Sequence, residues 1–128
     1  MNTAQVVLCT GASYRQCDYW SRLDIFGGGA KHGTGSGSVR SWDEPQVVLV
    51  RALVLISRIQ RPDYRQFRGA EDKVRAAWTA DPDLNGVWLI LAPGTVYVGS
   101  LFFTAEVAVV VDLAAAARHV REAFALAG

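Results

Sequence analysis

The chain lacks any run of about eighteen uncharged apolar residues, the length that a membrane-spanning helix needs. Its longest candidate, Leu101 to Ala117, is broken by Glu106 and Asp112. The first residues, Met-Asn-Thr-Ala-Gln, carry no basic region and no clear cleavage site. No export signal is read there, and the expected compartment is cytoplasmic, away from any membrane. Cysteine is scarce. Cys9 and Cys17 lie eight apart, a spacing that fits no common zinc pattern, and both fall in expected helices as small buried hydrophobes. Histidine is equally scarce, with His32 in a glycine-rich loop and His119 on the last helix, one turn before Glu122. No nucleophile, base and orienting group arrive together, so the expectation is no enzyme, no metal and no cofactor.

What is present suits a folded chain. Of 128 residues, 51% are hydrophobic and 20% charged, enough for one ordinary domain or two small modules sharing a core. The net charge of +1 hides an asymmetry. Residues 1–78 hold eleven Lys or Arg against seven Asp or Glu, whereas residues 79–128 hold two against five. A basic half joined to an acidic half suits a reader of phosphate backbone that carries a separate module.

Local signals divide the chain further. Thr3 to Thr10 reads as a short helix with Thr3, Val6 and Val7 inward, and Gly11 then supplies a turn. Ser13 is a natural N-cap for a second helix, Tyr14 to about Leu23. Gly27 to Ser38 holds six of the twelve glycines and reads as a mobile wing tip or a linker. Ile25-Phe26 and Val39-Arg40-Ser41-Trp42 can pair as a hairpin around it. It lacks the Gly-Lys-Ser/Thr ending of a phosphate-binding loop. Asp43 caps a strongly apolar third helix, Pro45 to about Ile59, with Pro45 in the first turn. Pro62 ends that run. From Asp63 to Trp78 a fourth helix is expected, with Tyr64, Phe67, Val74 and Trp78 on one stripe. Arg58, Arg61, Arg65 and Arg68 gather at the joint, as a phosphate-contacting patch or a solvated face. The tail reads as strands at 87–92, 95–98 and 106–111, then a helix from Leu113 to Leu126 with Leu113, Ala117, Val120 and Phe124 on one face.

Gly11 to Phe26, TGASYRQCDYWSRLDIF with Thr10 in front, resembles the helix-turn-helix of the MerR family. Thr10-Gly11 stands at the turn, Ser13 at the cap, Arg15 and the Tyr19-Trp20 doublet on the recognition helix, and Ile25-Phe26 at the step into the wing. The family's closing Gly-x-Arg-x-aromatic element is approximated by Gly37 to Trp42, and the likeness covers about residues 2–78. It implies an α+β fold: a MerR-like winged helix-turn-helix DNA-binding domain over 1–78, followed by a small β-β-β-α module over 79–128. It also implies contact with double-stranded DNA through Arg15, the Tyr19-Trp20 doublet and Arg40.

The residues themselves support an outward face. Arg15, Gln16, Tyr19 and Arg22 recur at three- and four-residue steps. Arg suits guanine's two acceptors and Gln suits adenine's donor–acceptor edge, while Tyr19 and Arg22 are placed for phosphate. Cys17 and Trp20 turn inward. The expected DNA-binding set is Ser13, Tyr14, Arg15, Gln16, Tyr19, Trp20, Arg22, Lys31, Arg40 and Trp42. Asp18 is the misfit, because a carboxylate repels phosphate; it pairs with Arg15 or Arg22 or points away.

Metal-sensing members of the family continue into a long dimer helix and a cysteine-bearing loop. Pro82 stops that continuation here, and no cysteine follows Cys17. The aromatic-bearing tail (Trp88, Tyr97, Phe102, Phe103, Phe124) then either pairs edge strands in a homodimer or forms an apolar pocket for a small-molecule effector. Three functional readings follow. One is a dimeric transcription regulator on an inverted repeat. Another is an excisionase-like architectural factor of phage or plasmid type. The last is a protein-interaction module that has lost DNA binding.

Overall fold

The computed structural model describes residues 1–26, 41–101 and 105–127. The fold is α+β. Among the described residues there are five α-helices, one short 3₁₀ turn and a three-stranded antiparallel sheet near the C-terminus. None of these helices is long and apolar enough to cross a membrane.

Three helices start by the same device. α1 (Thr3–Thr10), α2 (Tyr14–Arg22) and α3 (Glu44–Ser57) each open with a capping box. Asn2, Ser13 and Asp43 accept from the N–H of Gln5, Gln16 and Gln46, and each Gln side chain accepts the cap residue's own N–H. Two otherwise orphaned donors are thus satisfied at each start. Gly11 ends α1 at φ 81°, a left-handed geometry that costs glycine little. α2 ends as Asp24 takes φ 64°, which turns Ile25 and Phe26 into the core.

α3 is the spine. Val47, Val48, Leu49, Val50, Leu53, Val54 and Ile56 are all buried, as a helix apolar on every side requires. The other elements wrap it: α1, α4 (Ala70–Ala80) and α5 (Leu113–Ala127) all pack on it, and α5 also packs on α1. One continuous core therefore runs from Val6 through Trp20 and Leu53 to Val120.

Residues 63–78 depart from the single helix expected. Asp63 caps a 3₁₀ turn at Tyr64–Phe67, and α4 begins only after Gly69 at φ 85°. The apolar stripe survives because Phe67 and Val74 are both buried, so periodicity ran through a break that only Gly69 announces. Glu71 and Asp72 fill the first turn of α4, where the helix dipole favours negative charge.

In the sheet, β1 (Trp88–Ala92) lies between β2 (Thr95–Gly99) and β3 (Val109–Asp112). Gly94 at φ 73° makes the hairpin turn, and Ala92 faces Thr95. β3 starts at Val109, three residues later than its β-branched run suggested, and pairs Leu91 with Val109. Asp112 accepts from the N–H groups of Ala114 and Ala115 and so starts α5. Leu113, Ala117 and Val120 face inward as expected, whereas Phe124 is exposed on the final turns.

Long polar links tie the tail to the front. Arg121 on α5 bonds Glu44 at the start of α3 and Asp83 at 2.7 Å. Buried Glu71 joins Gln46 (2.9 Å) and Arg75 (2.8 Å), and Arg75 also reaches Asp43. The expected boundary near residue 78 is therefore crossed by both core packing and ion pairs.

Candidate functional site

α2 has two chemically distinct faces. Cys17, Trp20 and Ser21 are buried, while Ser13, Tyr14, Arg15, Asp18, Tyr19 and Arg22 are exposed. Tyr14 is 60% and Tyr19 47% exposed, so both rings stand on the solvent side of the helix. Arg15, Asp18, Tyr19, Arg22 and Leu23 line an open concavity along this face.

An aromatic group fixes the helix from behind. Trp20 meets Tyr64 with ring centroids 5.6 Å apart, and Tyr64 also meets Tyr19 (6.2 Å, edge-on) and Phe67 (6.2 Å). Burial, and then the neighbouring Tyr19, pushes the Tyr64 hydroxyl above its ordinary pKa, while Arg61 opposes the shift. At the C-terminal end of α2, Arg68 donates from Nε to the Leu23 carbonyl at 2.7 Å. A cation there meets the negative end of the helix dipole. α2 is thus capped at its start by Ser13 and at its end by a residue 45 positions away.

Of the ten residues expected to form the site, five are brought together at the surface: Ser13, Tyr14, Arg15, Tyr19 and Arg22. Gln16 is only half exposed, and its carbonyl accepts the Ser13 N–H at 3.0 Å. One of the two lone pairs of the acceptor that an adenine edge would need is already engaged, and Gln16 serves here as a cap. Trp20 and Trp42 are each 2% exposed and have no surface to offer a ligand. Trp20 turns inward as expected, and Trp42, also placed in the expected DNA-binding set, lies behind the surface with it. Trp42 stacks edge-on with Phe26 at 5.0 Å, and its indole N–H donates to Thr3 at 3.0 Å.

Trp42 also bears on the expected hairpin. Its N–H donates to the Met1 carbonyl at 2.7 Å, and the Met1 ammonium donates to the Trp42 carbonyl at 2.8 Å. Both main-chain groups are thereby committed to the N-terminal segment, and none of residues 25, 26, 41 and 42 is in a strand. Lys31, Arg40, His32 and the remainder of the expected wing lie outside the described residues.

Asp18 resolves the choice left by the sequence. It pairs with Arg22 at 2.7 Å, one turn on, with both side chains mostly exposed. Such a pair is worth only about 0.3–0.5 kcal/mol, so a phosphate can displace the carboxylate at small cost. Arg15 makes no ion pair among the described residues and keeps its whole donor fork. Beside the C-terminal half of α2, Arg65 is held by Asp63 through Nε (2.9 Å) and Nη2 (2.8 Å). Those hydrogen bonds hold the Asp63 carboxyl below its usual range.

One contact escaped sequence reasoning. Arg51 Nη1 donates to the Thr10 carbonyl at 2.9 Å and so braces the turn before α2. The available signal was that Arg51 is the lone charge in the apolar stretch from Pro45 to Ser57.

No protein-family model matches the chain, and no curated protein matches it.

Proposed function

We propose that this chain is a sequence-specific double-stranded DNA-binding transcriptional regulator of the MerR-like winged helix-turn-helix type, without catalytic activity. α2 enters the major groove, Arg15 reads a base edge, Ser13, Tyr14 and Tyr19 meet phosphate or sugar, and Arg22 exchanges Asp18 for phosphate. Two copies bind an inverted repeat, joined through the tail, where β2 and β3 are edge strands in a single chain. The observation that carries the reading is α2 itself: a short helix capped at both ends, backed by Trp20 and Tyr64, with Arg15 and two tyrosines turned to solvent.

Selection of bound duplexes from a random pool, with the solution mass measured alongside, tests it. The expected product is a palindromic site bound by a dimer. Arg15→Ala should then weaken binding by about 1–3 kcal/mol and relax the preference at one position in each half-site, with the thermal midpoint unchanged. Equal affinity and equal preference would reject α2 as the reading helix. A monomer selecting an asymmetric site would reject the palindrome, and a sharp bend in the bound duplex would favour the excisionase-like alternative.

A further inference from the structure

We propose that the open cavity bounded by α3, β3 and α5 binds a small organic carboxylate, its anionic head at Arg51 and His119 and its apolar body on Leu55, Ile59 and Val110. The cavity measures about 420 Å³, towards the lower end of the roughly 300–1,000 Å³ typical of small-molecule sites.

The first reason is unbalanced charge. Arg51 is half-buried, its Nε is buried without a hydrogen-bond partner, and one of its amino groups is spent on Thr10. Arg58 stands close by. Its Nη2 and the Arg51 Nη1 lie 3.1 and 3.6 Å from the point that a Gly11 side chain would occupy. Among the described residues neither guanidinium pairs with a carboxylate, whereas Arg22, Arg65, Arg75 and Arg121 all do. Burial, and then Arg58, lowers the Arg51 pKa. Burial, and then Arg51, lowers that of His119, with Glu122 opposing and Arg58 adding to the fall. Arg51 is thus a half-buried cation beside the exposed guanidinium of Arg58, with no carboxylate paired to either among the described residues, and an anion supplies that counter-charge.

The second reason is what surrounds that charge. Asp112 is the sole carboxylate in the lining, and its Oδ1 already accepts from Ala114 and Ala115 at 3.0 and 3.3 Å. The rest is aliphatic, and Ile59 at 69% and Val110 at 39% exposure leave apolar area for a ligand to cover. A bare inorganic anion would leave that area wet. A carboxylate with an aromatic or branched body satisfies both parts. Any effect of such a ligand on DNA, through the Arg51–Thr10 contact, rests on the function proposed above; the binding itself does not.

The test is calorimetric titration of the full chain with benzoate, with acetate and benzyl alcohol as probes that keep only the charge or only the ring. Benzoate should bind saturably and at least tenfold more tightly than either. Arg51→Gln should weaken benzoate at least tenfold. Because Arg51 also braces Thr10, Ile59→Glu provides a second variant at an exposed position, where a new carboxylate should repel the ligand to a similar degree without loss of fold. Failure of benzoate to saturate, acetate binding as tightly, or benzoate affinity untouched in both variants would each overturn the proposal. So would a change of solution mass in Ile59→Glu with benzoate affinity intact, because that assigns the face to contact between subunits. None of these readouts involves DNA, so a failure of duplex binding leaves the result standing, and the converse also holds.

Discussion

The α2 face and the α3–β3–α5 cavity both present arginines, but they differ in exposure and in what surrounds the charge. On the α2 side, Arg22 and Arg65 are held by carboxylates and Arg68 by a carbonyl, while exposed Arg15 makes no ion pair among the described residues, with a backing of Trp20, Tyr64 and Phe67. At the cavity, half-buried Arg51 reaches the Thr10 carbonyl but, among the described residues, pairs with no carboxylate; its Nε has no partner, and the side chains around it are largely aliphatic. Exposed paired charge costs little and fixes side-chain direction. Half-buried unpaired charge costs more and persists where another interaction offsets it. The first region is suited to presenting a rigid pattern and the second to receiving something.

The largest effect that bears on this contrast is expected from Trp20→Ala. Removing a buried indole behind α2 should cost about 3–5 kcal/mol in urea unfolding. A loss below about 1 kcal/mol would mean that the aromatic backing does not fix α2, and the contrast would fail on its rigid side. Asp18→Asn should act more gently, lowering stability by about 0.3–0.5 kcal/mol. It should also tighten duplex binding, and the salt dependence should steepen by about one counterion as Arg22 is released to phosphate. An unchanged slope would place Arg22 away from the backbone.

The smallest effect concerns pH. The folded protein holds the His119 pKa below its ordinary 6.5, first through burial and then through Arg51. The unfolded chain therefore binds the proton more readily. This contribution to stability is complete above the unfolded pKa and is lost as pH falls through the folded one. Thermal midpoints taken from about pH 7.5 down to 5.5 should drop slightly, and His119→Gln should flatten that slope. An identical slope in the variant would remove His119 from the cavity's charge balance.

Chain-local features were legible in advance. Ser13 and Asp43 marked helix starts because a cap bonds a backbone group only three residues away, and Pro93-Gly94 marked the hairpin for a similarly local reason. The break at Gly69 was missed because the apolar spacing of Phe67 and Val74 continues across it. The braces were invisible for a different reason. Arg68 to Leu23, Arg51 to Thr10 and Arg121 to Glu44 span 45, 41 and 77 residues, and nothing in local spacing specifies such a partner. The outward face of α2 was half legible. Periodicity placed Arg15, Tyr19 and Arg22 outward, but it could not show that Gln16 spends its carbonyl on Ser13.

The packing of α1 against α5 has a consequence for the order of events during synthesis. Val6 and Cys9 leave the ribosome well before the helix that packs on α1, which begins only at Leu113. At roughly 5–20 residues per second, that leaves an interval on the order of ten seconds with an incomplete core. During it the front of the molecule has its own turn and caps but lacks one wall. The nascent chain thus exposes part of its core to chaperones until α5 emerges, about a hundred residues after α1.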